Sequence, residues 1–195
     1  MRGKILNVAS ATEDKIKANQ EIKDMLLALG CGSGSDYDEK ALRYDKIIIM
    51  TDADVDGAHI ASLLMTYFYQ EMPDLINNGH LYLAQPPLFR IKQGSKSFYA
   101  NDEKEKDKII KQLSKDKKKI DIGRFKGLGE MTPPQLKETT MNPENRILLR
   151  VEIKAKDEAK KRVEHLMGKK PELRFKFIQE QTAEKGKNLF NSLDV

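Results

Sequence analysis

Three aspartates alternate in Thr51-Asp52-Ala53-Asp54-Val55-Asp56-Gly57, directly after the β-branched run Ile47-Ile48-Ile49-Met50. At the end of a strand, side chains two residues apart point to one side, so this spacing gathers Asp52, Asp54 and Asp56 in a compact loop. Carboxylates that close repel one another and raise each other's pKa unless a cation lies among them. An all-oxygen set favours a hard divalent ion such as Mg²⁺ or Mn²⁺. If the isoleucine run is a buried strand of a parallel sheet, its carboxyl end opens on the crevice where open α/β sheets bind ligands. A cation held there would neutralise charge on a phosphate ester and on the attacking or departing oxygen.

Two other chemistries fit part of the pattern. The first six positions of a calcium-binding EF-hand loop are satisfied from Asp52 to Gly57, but the twelfth, which should be a bidentate Glu, is Leu63 within an apolar stripe, and a strand rather than a helix precedes the loop. A phosphatase of the haloacid dehalogenase type would also use Asp52, Asp54 and Val55. It needs a later apolar strand ending in paired acids, and the nearest downstream pair, Asp102-Glu103, opens a lysine-rich stretch instead.

Around the loop, apolar periodicity predicts the elements that position it. Ile16, Ile22, Met25, Leu26 and Leu29 define a helix over residues 12–29, with Thr12 as its cap and Gly30 as its left-handed stop. A Gly/Ser-rich loop covers 31–37. A second helix covers 58–71, its Leu63, Leu64, Met65, Tyr67 and Phe68 stripe being core, and Pro73 opens a short turn that Gly79 closes. Period-two strands follow at 80–84, 88–92 and 96–100, with turns at Pro86-Pro87 and Gln93-Gly94. Residues 102–119 carry eight lysines against five acids and read as a solvated helix. Then come a strand at 120–125, the loop Lys126-Gly127-Leu128-Gly129, a helix at 133–139, a strand at 148–153, and helices at 156–167 and 171–181, with frayed last residues. The fold class is α/β with an α+β appendage, and only one strand of the parallel core is evident.

Composition narrows the classes further. The 195 residues are 39% hydrophobic and 33% charged, with 35 basic and 30 acidic side chains. No run approaches the roughly 20 apolar residues of a membrane span; the best, residues 60–69, contains Ser62 and Thr66. The amino terminus is basic, but its apolar stretch is too short for a secretory signal and contains Asn7. A lone Cys31 excludes an internal disulfide and a multi-cysteine zinc site, and fits a cytoplasmic compartment. The net charge of +5 favours a polyanionic partner only weakly.

Several segments agree on a family. Arg2-Gly3-Lys4-Ile5-Leu6-Asn7-Val8, Ile48 to Ile60 through the acidic loop, Gln85-Pro86-Pro87-Leu88, Arg124-Phe125-Lys126-Gly127-Leu128-Gly129-Glu130-Met131 and Glu138-Thr139-Thr140-Met141-Asn142-Pro143 resemble, in order and spacing, the carboxyl-terminal part of the B subunits of type IIA DNA topoisomerases. Ala9-Ser10-Ala11-Thr12 and Ala58 to Leu63 are nearer to the topoisomerase IV branch than to gyrase.

The resemblance implies a TOPRIM domain, a Rossmann-like parallel sheet, over residues 1–100. It implies a small α+β tail over 101–195 that completes it and contacts DNA and the A subunit. It further implies an ATP-dependent A2B2 tetramer that passes one DNA duplex through a break in another, with the nucleophilic tyrosine in the A subunit and none of the six tyrosines here in that role. On this basis Asp52 and Asp54 hold Mg²⁺, for which Mn²⁺ or Ca²⁺ can substitute, and Asp56 supports them or serves a second ion. Lys4, Asn7, His59 and Arg174 match DNA contacts. The family's general acid/base Glu and its leading strands belong upstream of Met1, as does the ATP site. The chain thus reads as a carboxyl-terminal segment with no catalytic residue of its own, near whose Val195 the natural carboxyl terminus falls; the alternatives are a gyrase B segment, serving negative supercoiling, or a non-catalytic module binding DNA and the A subunit.

Away from the resemblance these residues have plainer readings. Lys4 and Asn7 would be surface polars. A histidine on the first turn of a helix is ordinarily structural, although His59 also sits where a helix amino terminus attracts phosphate. His80 and His165 read as structural. Arg150, Arg162 and Arg174 serve equally as duplex contacts or as a solvated face. The loop Lys126 to Gly129 is a glycine turn, a phosphate approach or a brace against the acidic loop.

Overall fold

The structure is a computed structural model that describes residues 1, 3–116 and 118–184. In chain order it has helices α1 (Glu13–Ala18) and α2 (Gln20–Leu29), strand β1 (Ile47–Ile49), helices α3 (Val55–Glu71) and α4 (Pro73–Asn77), and strands β2 (Leu81–Gln85), β3 (Phe89–Gln93) and β4 (Lys96–Ala100). Helix α5 (Glu103–Leu113), strand β5 (Ile120–Arg124), helix α6 (Pro133–Leu136), strand β6 (Ile147–Arg150) and helices α7 (Lys156–Met167) and α8 (Pro171–Glu184) complete it. Among the described residues no helix is long and apolar enough to cross a membrane. The α/β class expected from the sequence is the one observed. The chain forms two compact units that interleave along it: one takes Tyr44–Leu64 and Asn78–Val151, the other Met1–Arg43, Met65–Asn77 and the chain from Glu152.

The first unit holds two three-stranded sheets, in the orders β1-β2-β6 and β4-β3-β5. β1 runs parallel to β2, with Ile47 opposite Leu81, and β6 joins antiparallel on the other side, with Leu149 opposite Leu83. β1 is therefore parallel as expected but less buried than its composition suggests. Ile47 and Ile48 are half-buried and only Ile49 is buried, because β1 lies at the edge of its sheet among the described residues. His80, just before β2, is tied to the strand edge: its carbonyl accepts from Ile47 N–H at 2.7 Å, and its Nδ1 donates to the Asp45 carbonyl at 2.8 Å.

In the second sheet Phe89, Ile91 and Ala100 are buried beneath Ile109, Ile110 and Leu113 of α5. The lysine-rich stretch thus forms a helix with one apolar face, which ends at Leu113 well short of residue 119. Gln93 closes its carboxyl end, with Nε2 donating to the carbonyls of Leu113, Asp116 and Lys118 at 3.1–3.4 Å. Beyond α6 the chain makes one π-turn, Lys137–Met141, in which Thr139 and Thr140 are buried.

The second unit buries Ile5, Val8, Ile22, Leu29, Tyr67, Phe68, Met72, Leu75 and Ile76. The rings of Tyr67 and Phe68 meet edge to face at 5.6 Å. The helix expected over 12–29 is two helices. Asn19 is extended, at φ −69° and ψ 121°, and its side chain accepts from Ile22 N–H, so the residue that looked interior caps α2. Gly30 ends α2 at φ 76°, as expected. Burial pushes the Tyr67 phenol up to about 12, the Glu71 carboxylate adding to the effect. Burial also pushes Tyr37 up to about 12, helped by Glu39, and the buried Tyr37 hydroxyl has no hydrogen-bond partner among the described residues.

Two outcomes follow from this packing. Replacing Gln93 with Met keeps the volume but removes the donor from three carbonyls, and should cost about 1–3 kcal/mol in a denaturant melt; an unchanged midpoint refutes the staple. For Tyr37 and Tyr67 the protonated phenol is the form the fold favours. Their stabilisation is complete below about pH 10, where unfolded tyrosine titrates, and is lost as pH rises toward 12. Phenolate absorbance of Tyr37 and Tyr67 should then lag behind that of unfolded tyrosine and rise together with loss of helical circular dichroism.

Candidate metal and nucleic-acid site

Asp52 follows β1 by three residues and is fixed from far along the chain. Its Oδ1 accepts from the backbone N–H of Leu128 at 2.7 Å. The loop that supplies this donor is itself braced, since Lys126 N–H donates to the Glu130 carboxylate at 2.8 Å. Gly127 is extended at φ −160°, a conformation open to any residue, so its glycine is required by proximity. A Cβ there would stand 2.9 Å from Asp52 Cγ. A Cβ at Gly57 would collide with the Asp52 carbonyl, so glycine also lets the first turn of α3 close over the end of the strand. Of the three roles open to the loop at residues 126–129, the geometry selects the brace on the acidic loop.

Asp54 caps α3. Its Oδ1 accepts from Gly57 N–H at 2.7 Å and its carbonyl from Ala58 N–H at 3.0 Å. Asp56 stands in the first turn of that helix, where the positive end of the helix dipole favours an acid. α3 accordingly starts at Val55, three residues before the expected 58. Sequence reasoning missed this second use of the acids, and the signal was present: an Asp immediately before a helical apolar run is a cap candidate.

Asp52, Asp54, Asp56 and His59 are all exposed. Among the described residues no three His, Cys, Asp or Glu side chains are grouped to hold a metal. The carboxylates that do line the loop still suit Mg²⁺, which is commonly held by one or two protein carboxylates, several waters and the substrate's phosphates. Asp52 and Asp54 each commit one oxygen to a backbone N–H, so the second oxygen of each is the candidate ligand for such an ion.

In the other unit, Lys4 is exposed and Asn7 and Arg174 are half-buried. Asn7 Nδ2 donates to the Met167 carbonyl at 2.8 Å, and its Oδ1 accepts from Ala9 N–H at 3.2 Å. Arg174 Nη1 donates to the carbonyls of Gly168 at 2.7 Å and Leu166 at 3.5 Å. Two residues from opposite ends of the chain therefore converge on the last carbonyls of α7, where a helix has acceptors without intrahelical donors. Arg162 pairs with Glu158 at 3.0 Å on the exposed face of α7, while Arg150, in the first unit, packs over Gly79.

The Toprim domain family matches residues 1–86, and the family described as the DNA gyrase B subunit carboxyl terminus matches residues 117–179. The bond from Leu128 to Asp52 thus joins the two matched segments. The DNA topoisomerase 4 B subunit of Rickettsia bellii is 60% identical over 99% of this chain, and that of Bartonella bacilliformis is 60% identical over 100%. The DNA gyrase B subunit of Thermotoga maritima is 50% identical over 92%. The chain spans 29%, 28% and 28% of these relatives' lengths, less than a third of each. With the acidic loop in one matched segment and its brace in the other, the chain belongs to the B subunits of type IIA DNA topoisomerases and carries their Toprim domain and the carboxyl-terminal domain of gyrase B.

Proposed function

We propose that this chain is the Mg²⁺- and DNA-binding part of a bacterial, ATP-dependent type IIA topoisomerase of the topoisomerase IV kind. In it, the chain supports cleavage and religation of duplex DNA by a tyrosine of the A subunit in an A2B2 assembly. ATP and the general acid/base Glu are supplied outside these residues, and the complex works in the cytoplasm on the chromosome. The observation that carries the reading is the locked Asp52 carboxylate at the end of β1, held by Leu128 N–H against Gly127. Identity of 60% to topoisomerase 4 B subunits against 50% to a gyrase B subunit favours the first kind.

Toprim domains of type II topoisomerases bind Mg²⁺ generally, and here Asp52 and Asp54 would hold it with Asp56 in support. When bound, the ion would neutralise charge on the scissile phosphate and on the oxygen that leaves and returns. The chain's own work is orientation. One backbone N–H fixes the Asp52 rotamer before any ligand arrives, so little ordering remains to be done when DNA binds. Asp54 ties the same loop to the start of α3, from which His59 reaches solvent and DNA. Lys4, with Asn7 and Arg174, serves DNA in the other unit.

Mn²⁺ binding followed by paramagnetic resonance, and cleavage by the complete B subunit with its A partner, test this reading. Asp52→Asn should weaken the ion and lower cleavage by about 10²-fold or more while the fold persists. Normal metal binding and cleavage by that variant would overturn the assignment. Gly127→Ala, which leaves every carboxylate in place, should still reduce cleavage by about 10²-fold through displacement of Asp52. At Asp54 the two roles separate: Asn keeps the cap and loses the charge, whereas Ala also costs about 1 kcal/mol of stability. Equal melting temperatures for the two variants would refute the cap.

A further inference from the structure

The first unit holds a cavity of about 370 Å³, the size of a small-molecule site, bordered by the first turn of α5, the ends of β2 and β4, the start of β6 and the π-turn after α6. Among the described residues that line it are two acids, Glu105 and Glu138, and no base. Arg90, opposite Tyr99 in the strand ladder, turns its guanidinium to Ser97 Oγ at 3.2–3.3 Å instead. Neighbours set both acids in place. Glu105 Oε2 accepts from the backbone N–H of Asn101 at 2.8 Å and from its Nδ2 at 3.1 Å, so Oε1 is the oxygen to offer a ligand. Glu138 stands in the π-turn, a conformation frequent at functional sites. Asn145 Nδ2 donates to its carbonyl at 3.2 Å, and Thr139 Oγ1 ties the same turn to the Gln135 carbonyl at 2.8 Å. Glu105 is half-buried and Glu138 exposed.

The lining narrows the occupant. An anion would meet two carboxylates and no cation. A divalent metal fits poorly too, because no three His, Cys, Asp or Glu side chains are grouped among the described residues. A wholly apolar molecule would take the carboxylates out of water without pairing them. An organic cation answers all three objections, and the wall indicates its form. Pro87, Ile147 and the Tyr99 ring offer apolar surface to methylene groups, and the ring face attracts an ammonium. The two acids come from separate elements, which calls for two charges joined by an aliphatic chain. We propose that this cavity binds an aliphatic diamine or polyamine, with one ammonium on Glu105, another on Glu138 and the methylenes against Pro87, Ile147 and Tyr99. Each ammonium carries three donors, and the amide oxygens of Gln85 and Asn145 and the Thr139 hydroxyl stand among the lining groups that can accept those the carboxylates leave over. This inference is independent of the metal and DNA assignments above.

The test is titration calorimetry of the protein with spermidine, 1,4-diaminobutane and butylamine at low salt. Glu105→Gln and Glu138→Gln should each weaken spermidine by about tenfold or more, the loss expected for one charge-assisted hydrogen bond. Glu105→Gln keeps an oxygen for the two Asn101 donors, so its melting temperature should match that of the wild type and guards against misfolding as the cause. Butylamine, with the same methylenes but one ammonium, should bind about tenfold more weakly than 1,4-diaminobutane. Asp52→Asn should leave the spermidine affinity as it was. Unchanged affinity in both glutamate variants overturns the proposal, as does equal affinity for the monoamine and the diamine. A loss in Asp52→Asn that the glutamate variants do not share makes the amine a counterion of the acidic loop, and the proposal fails. If spermidine does not bind but a lysine-bearing peptide does, the two acids meet a protein surface and the proposal fails as well.

Discussion

One hydrogen bond ties the acidic loop together: Leu128 N–H to the Asp52 carboxylate, across 76 residues of chain. Three carboxylates in a five-residue span disperse unless something fixes them, because each favours solvent and separation from the others. A backbone N–H is suited to the task. It carries no net charge to cancel that of the acid, and charge-assisted bonds of this kind are among the stronger ones a protein makes. The bond requires the chain at residues 126–130 to approach within contact distance of the side chain, which is why position 127 has no room for a Cβ. The second sheet, with α5 packed on it and β5 leading into the glycine loop, is the frame that delivers this segment.

The other two acids share the loop's chemistry with the fold's needs. Asp54 satisfies the start of α3 and Asp56 sits in its first turn, so the helix is built from the same residues that would hold the ion. Each carboxylate has two oxygens, so the cap and the ligand do not compete. The helix also orients the pair: its positive end lowers the repulsion that three acids would otherwise impose on the loop.

Much of this was legible in the sequence, for identifiable reasons. The isoleucine run, the apolar stripe of α3 and the alternation in β3 and β4 depend on local periodicity, and those elements formed within a few residues of expectation. Misplaced features depend on which donor meets which acceptor. Asn19 interrupts an unbroken apolar period because its side chain caps α2, and periodicity is blind to caps. Ile47 and Ile48 are less buried than their type suggests because a strand's place in its sheet is not encoded in its own residues. The acidic run Asp52, Asp54 and Asp56 is visible in the spacing alone, whereas the brace through Gly127 was one reading among three until the contact itself was seen. Asn7 and Arg174 stood out only by resemblance, and their meeting at the end of α7, 160 residues from Asn7 and six from Arg174, has no local signature.

The two units handle charge by the same rule. The acids of the loop are exposed, since burying a charge costs more than any single contact returns unless it is paired. Exposure alone would leave them unplaced. Position comes instead from neighbours that are half-buried or buried: Leu128 N–H for Asp52, Gly57 N–H for Asp54, and, at the last carbonyls of α7, Asn7 and Arg174. A substitution at Gly127 changes no charged group, yet shifts where the Asp52 charge stands. The residues that determine where these acids stand thus extend one layer behind the acids themselves.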